Sequence, residues 1–536
     1  MEGGPRAPGP TAPAKPDEVH RALVDRAEVA ILDVRPEPLF AQGHPLFAAS
    51  LPFDRLELEA LDRVPRFGAP IVVYDQGEGT AERAARRLRG LGYRLVRVLE
   101  GGLSAWAAAG YELFKDVNTP SKAFGELVAE RCRTPLLSAP ELWDLIGAGA
   151  DLAVVDARRA DEFMTMSIPT ARSAPGGELV LRSGCIAPTP QTMVVVNCAG
   201  RTRSIIGAQS LINTRSADRV VALENGTIGW SLAGLPLTTG ATEAVPRPGE
   251  AATDVVAAAR SLADRCGVVR VTAANMESLV RSGERTCYRF DVRSGPEYEA
   301  AHPSGFRWAP GGQLVQETDV YAPVRGALIV LADDDGVRAN MAASWLAQMG
   351  WDVAVVDDPF DRLALEPGPW SPTLPEPPAV PHITMRQLVD LATAPTTLVC
   401  EVGPLSGFVA GHIEGSRWAL RSDLALATRL PAFADARHLV LVSDDDRLAR
   451  FVAVTVDSTW PGTTCVLDGG KQAWRSRGGD LKGGPGPKLS TGEDVYRRPY
   501  EGTDRSQAST RAYIEWELGL VDQLDRDSTH GFWVLT

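Results

Sequence analysis

The segment Cys198-Ala199-Gly200-Arg201-Thr202-Arg203 carries the strongest chemical signal in the chain. An apolar run, VVVNC at 194–198, brings the cysteine to the end of a predicted strand, and Ser204 opens a predicted helix. A short loop running into a helix N-terminus surrounds the sulfur with backbone N–H groups. Those donors and the helix dipole stabilise a thiolate and attract an anion. Arg201 and Arg203 add positive charge, which predicts a thiol pKa lowered into the range of roughly 3.5–7.5. No histidine lies between 137 and 240, so this nucleophile relies on electrostatics instead of a Cys-His pair. Cys198 is therefore the catalytic candidate, with Ala199, Gly200, Arg201, Thr202, Arg203 and Ser204 as its substrate-binding loop. Thr202 is expected to supply a hydroxyl donor. Arg182, in GGELVLR (176–182), is assigned to the substrate anion, with an ordinary exposed arginine as the competing reading.

The elements that position this loop recur. Apolar strands ending in an acidic residue read AILDVR (30–35), AVVDAR (153–158), YRFDVR (288–293) and LVCEVG (398–403). A second strand follows each, closing at Asp75, Cys198, Asp333 and Ser443. The pairs Asp33/Asp75, Asp156/Cys198, Asp291/Asp333 and Glu401/Ser443 are all 42 residues apart, and an offset kept four times marks a repeat. A third element ending in Trp appears as LEGGLSAW (99–106), LENGTIGW (223–230) and LDGGKQAW (467–474), while the third copy has VVDDPFDRL (355–363) instead. Amphipathic helical stretches such as 81–93 and 204–215 lie between. Each unit thus reads strand, loop, strand, helix, strand, helix, which predicts an α/β fold with a mainly parallel sheet and helices on both faces. Asp156 and Arg158 are expected to pin strand to loop as an ion pair, and Trp230 to be core or cleft wall.

The predicted organisation is a disordered lead at 1–15, modules at 16–116, 137–240, 268–365 and 382–482, and a C-terminal tail at 483–536. Linkers are expected around 115–136, 238–268 and 365–381, where Pro, Gly and Thr accumulate. The tail is read as packing onto the repeats. A chain of 536 residues with 55 basic and 68 acidic side chains, net −13, suits several globular domains and argues against nucleic acid or an anionic membrane as partner. Seven cysteines with no C-x-x-C pair suggest neither a disulfide framework nor a zinc ribbon. With no membrane-length apolar run, the expected location is cytoplasmic. Consecutive carboxylates at 333–335 and 444–446 do not make an oxygen cage, so no metal is expected.

With these stretches in hand, the unit resembles the rhodanese domain, and the chain resembles a tandem of four rhodanese modules. The resemblance rests on Asp-Val-Arg, Gly-His-Ile-Glu-Gly (411–415), Cys-x4-Arg and Gly-Gly-x-x-x-Trp, and covers about 16–482. It implies transfer of a sulfane sulfur through a Cys198 persulfide, from thiosulfate to cyanide or another thiophile, with no organic cofactor. The implied partners are a small anionic sulfur donor and a thiol or protein acceptor. Related phosphatases and arsenate reductases carry Cys-x5-Arg, so the shorter loop favours sulfur transfer. Asp75, Asp333 and Ser443 cannot carry a persulfide, which makes modules one, three and four inactive scaffolds. Two alternatives stay open: a mercaptopyruvate or protein-persulfide sulfurtransferase, and a non-catalytic scaffold with a redox-sensing cysteine.

Overall fold

The fixed offset has a structural cause. The computed structural model of the protein describes residues 12–426, 429–499, 501 and 506–536. In it each acidic residue of a first strand lies in parallel register with the residue just before the loop: Asp33 with Tyr74, Asp156 with Asn197, Asp291 with Ala332 and Glu401 with Val442. The next residue leaves the sheet, so one register repeated four times gives one spacing repeated four times.

Among the described residues this gives four sheets of five strands, besides a two-stranded pair of His302–Pro303 with Leu365–Glu366. In the second, strands run in the order Leu136–Leu137, Arg219–Leu223, Met193–Asn197, Leu152–Asp156, Arg172–Ser173, and every pairing is parallel. The third and fourth sheets repeat this order with parallel pairing throughout. The first differs: its strand Val29–Asp33 also pairs antiparallel with Val324–Arg325 of the third module. The central strands are apolar and buried on both faces, as parallel strands under helices must be. One apolar core runs through the first three modules and the tail (Leu520, Leu524, Phe532), whereas the fourth module has a core of its own.

The Asp-x-Arg residues are buried clamps. Asp33–Arg35, Asp156–Arg158 and Asp291–Arg293 pair at 2.6, 2.8 and 2.7 Å. In the fourth module Gly403 replaces the arginine, and Lys471 meets Glu401 at 3.3 Å. Where the third element is present, its glycine is obligatory. A Cβ on Gly226 (φ +53) would collide with the Cys198 carbonyl, the acceptor of Thr227 N–H at 2.9 Å. In the third module the 3₁₀ turn Phe360–Arg362 stands there, with Phe360 stacked 4.0 Å from the Arg293 guanidinium.

Two expected linkers are helices. Thr119–Cys132 is a 14-residue helix with Lys122 and Glu126 both buried, and Thr253–Arg265 packs on the helix Arg338–Gln348. Their Pro, Gly and Thr content suggests loops, but Pro120 sits in the first turn, where no helical N–H is lost, and tertiary packing decides the rest. Of the expected lead, 1–11 lie outside the described residues. Ala14 is fully buried and bridged to Leu99, so the end of that segment belongs to the first sheet. Residues 500 and 502–505 of the tail also lie outside the described residues. The rest of the tail forms helices Gln507–Leu518 and Leu520–Asp527, both packed on 119–132. Among the described residues no helix is long and apolar enough to cross a membrane, and no cluster of His, Cys, Asp or Glu is suited to a metal ion.

Candidate active site

Cys198 stands at the carboxyl end of Met193–Asn197, one residue before the chain turns toward the helix Thr202–Thr214. Its residue is 2% exposed, and Sγ lies 3.5 Å from Ser204 Oγ, whose own proton goes to the Arg201 carbonyl at 2.7 Å. Behind it, Asn197 Nδ2 donates to Asp156 at 2.7 Å and ties the loop to the clamp. The amides of Ala199, Gly200, Arg201 and Thr202 have no acceptor among the described residues. Such a group of converging N–H donors at a helix N-terminus suits an anion.

The other three loops use some of the counterpart amides for their own side chains, namely Gly77 for Asp75, Gly336 for Asp333 and Arg447 for Asp445, while Ala81, Ala339 and Ala449 correspond to Ser204. Asp75 accepts from Gly77 N–H at 2.9 Å and Ala81 N–H at 3.0 Å. Asp333 accepts from Gly336 at 3.1 Å and Ala339 at 2.8 Å, and Ser443 Oγ from Ala449 at 3.0 Å. Asp335 additionally takes the amides of Val337 and Arg338.

The two loop arginines are held away from the sulfur by carboxylates. Arg201 makes a buried fork with Glu126 (2.7 and 2.8 Å) and a third bond to Asn225 at 3.1 Å. Arg203 forks onto Glu162 at 2.7 and 2.8 Å. Burial raises the Glu162 carboxyl, but the guanidinium of Arg203, together with the charges of Arg158 and Arg159, outweighs it and brings the group down to about 2. The expected lowering of the Cys198 thiol does not occur in this closed loop. Burial dominates and pushes the thiol above its ordinary value, with Arg203 and the Ser204 hydroxyl opposing only in part. The reason is that both arginines are already neutralised.

Ala199 and Arg203 open on a cavity of about 280 Å³ that is walled by Glu162, Gln316 and Glu317 and, from the tail, by Arg498 and Glu501. Arg182 is not at this mouth. It pairs with Glu178 at 3.1 Å and with the Val245 carbonyl, and Glu178 also holds Arg338 of the third module at 2.9 Å. Arg182 belongs to the interface between modules two and three, where it shares a larger, mostly apolar cavity of about 380 Å³ with Thr202 and Arg203. Thr202 Oγ1 donates to Glu517 of the tail at 3.2 Å. Trp230 is fully buried, its indole N–H bonded to the Pro236 carbonyl, which is the core role expected of it.

Glu126, Glu162, Asn225 and Glu517 were not marked by the sequence reading. One signal was available for Glu162: it precedes Arg203 by 41 residues, and Glu297 precedes Arg338 by the same 41 and pairs with it at 2.7 Å. Nothing local points to Glu126 or Glu517, which arrive from a presumed linker and from the tail.

A family model described as the rhodanese-like domain matches residues 15–109 and 138–233, the first two units. The fold superposes on the crystal structure of thiosulfate sulfurtransferase from Pseudomonas aeruginosa with a TM-score of 0.94 at 49% identity, covering 98% of this chain and 100% of that one. Thiosulfate sulfurtransferase of Azotobacter vinelandii is 26% identical over 205 residues, 34% of this chain and 74% of the relative. An uncharacterized protein of Synechocystis sp. is 39% identical over 93 residues, 17% of this chain and half the length of that relative.

Proposed function

The chain belongs to the rhodanese superfamily and is a rhodanese-type sulfurtransferase; from that premise we propose that it takes sulfur from thiosulfate through a single persulfide on Cys198. The Cys198 thiolate attacks the outer sulfur, the S–S bond breaks, and sulfite leaves with the electron pair. A thiophile then attacks the outer persulfide sulfur and the Cys198 thiolate returns. This is two half-reactions through one covalent intermediate, hence ping-pong kinetics. The observation that carries the reading is the contrast among the loops: a thiol beside four amides with no acceptor among the described residues in module two, and at least one counterpart of those amides taken by a loop side chain in each of the others.

Ala199, Gly200 and Ser204 act through the loop backbone and the thiol contact. Thr202 contributes its hydroxyl. Arg201 and Arg203, held by Glu126 and Glu162, fix the loop's shape. Arg182 supports the module interface. Because burial raises the thiol, the loading rate is expected to climb with pH through the neutral range.

Intact mass spectrometry of wild type and Cys198→Ser after thiosulfate, then cyanide, tests the proposal. Wild type alone should gain one sulfur and lose it to cyanide as thiocyanate. A mutant that still gains sulfur moves the site elsewhere; a wild type that gains none refutes thiosulfate as donor.

A further inference from the structure

The C-terminal segment lies outside the four modules, yet it covers the reactive loop. The helix Gln507–Leu518 sets Tyr513 and Glu517 over Gly200: a Cβ built on Gly200 would lie 3.5 Å from Glu517 Oε2 and 3.7 Å from the Tyr513 ring. Glu517 is 1% exposed. One of its oxygens accepts the Thr202 hydroxyl, and the other has no hydrogen-bond partner. A carboxyl so placed, with half its acceptor capacity unused against an anion-binding loop, is costly as mere packing.

We propose that Glu517 is a positioning residue of the Cys198 loop that determines donor specificity: its carboxyl fixes the Thr202 hydroxyl, and its charge sets how strongly the loop attracts an anionic sulfur donor. The inference takes the donor's class from the proposed function.

The groups facing Glu517 are few. From the helix 119–132 come Lys122 and Glu126; from the loop come Arg201 and the Thr202 hydroxyl; Ile228 supplies only an apolar contact. Lys122 pairs with Asp116 at 3.1 Å, lies 5.3 and 5.5 Å from the rings of Tyr513 and Trp516, and feels Arg498. Burial, then Glu126, raise the Glu517 carboxyl to about 7, against Lys122, Arg201 and Thr202. Below that pH the loop faces a neutral acid. Above it, a negative charge sits beside the amides that the donor needs.

The test uses the full-length protein and reads the potential at the sulfur without relying on any donor. Cys198 is alkylated by iodoacetate (anionic) and by iodoacetamide (neutral) from pH 6 to 8.5, and the modified peptide is quantified by mass spectrometry. The ratio of the two rates cancels the titration of the thiol itself. In wild type the ratio is expected to fall about tenfold as pH rises through 7, the size of one added charge at this range. It should stay flat in Glu517→Gln and fall again in Glu517→Asp. A fall that persists in Glu517→Gln overturns the assignment. If Glu517→Gln does not fold, Thr202→Val decides. Losing the hydroxyl that favours the ionised form should move the midpoint upward, and an unmoved midpoint refutes the proposal.

With thiosulfate, the same charge should appear as a KM that rises about tenfold between pH 6 and 8 in wild type only, apart from changes in kcat. Sulfur loading with an unchanged alkylation ratio defeats this inference alone. The expected ratio with no loading defeats thiosulfate as donor and leaves Glu517 in its place.

Discussion

Cys198 in module two and Asp333 in module three stand at the same point of the same strand, each one residue beyond the partner of a clamp aspartate. Five residues further on, Arg203 and Arg338 each fork onto a carboxylate 41 residues earlier, Glu162 and Glu297. The clamp, the arginine and the helix that follows are therefore common to a loop with a nucleophile and a loop without one. What differs is the filling. In module three two carboxyls occupy the amides, whereas in module two the amides converge beside a thiol. The shared parts hold up the cradle; the chemistry depends on what is left out of it. This also points Arg203 mainly toward the scaffold, because its counterpart Arg338 keeps the same pair in a loop without a thiol.

That contrast is broken most sharply by exchanging the occupants. Cys198→Asp should abolish sulfur transfer, by at least about 10³-fold, since a carboxylate cannot carry the persulfide and none of the other six cysteines stands at the end of a module's second strand. Asp333→Cys should gain no sulfur, because Asp335 still takes two loop amides. Intact mass after thiosulfate reads both, and a loaded Asp333→Cys protein would show that the nucleophile alone makes the site.

The scaffold half of the comparison is tested by Arg338→Ala. Arg338 is fully buried and pairs with Glu178, Glu297, Asp334 and Asp335, so its removal strands several carboxylates and is expected to cost about 4 kcal/mol in denaturant unfolding. The smaller effect belongs to Glu162→Gln, on the order of 2 kcal/mol at pH 7, discounted for its partial exposure. The sign follows from a depressed folded pKa. The stabilisation is present above the unfolded carboxylate value and is lost as pH falls from about 4.5 toward about 2, so the stability gap between variant and wild type should close over that window. A gap independent of pH would mean that the pair contributes by packing alone.

The parallel repeat, its clamps and the copy that carries a cysteine at the end of its second strand were legible in the chain because each is local. A strand's burial is written in its apolar run, a register repeated four times becomes a fixed spacing, and a thiol in a Gly-Arg loop stands against three loops with none. The helix 119–132 was illegible for the opposite reason. Its Thr, Pro and Gly content resembles a linker, and packing against the helix 202–214 and the two tail helices stabilises it.

The charge balance of the site was likewise beyond the sequence. Two arginines beside a cysteine predict a lowered thiol pKa, but pKa depends on every charge within a few ångströms and on exclusion of water. Glu126, 75 residues before Arg201, and Glu517, 315 after Thr202, reach the loop only through the fold. Sequence alone determined which residue can act as the nucleophile, since only one of the four equivalent strand ends carries a thiol. Tertiary structure decided how charged and how open that residue's surroundings are, since electrostatics acts through space and not along the chain.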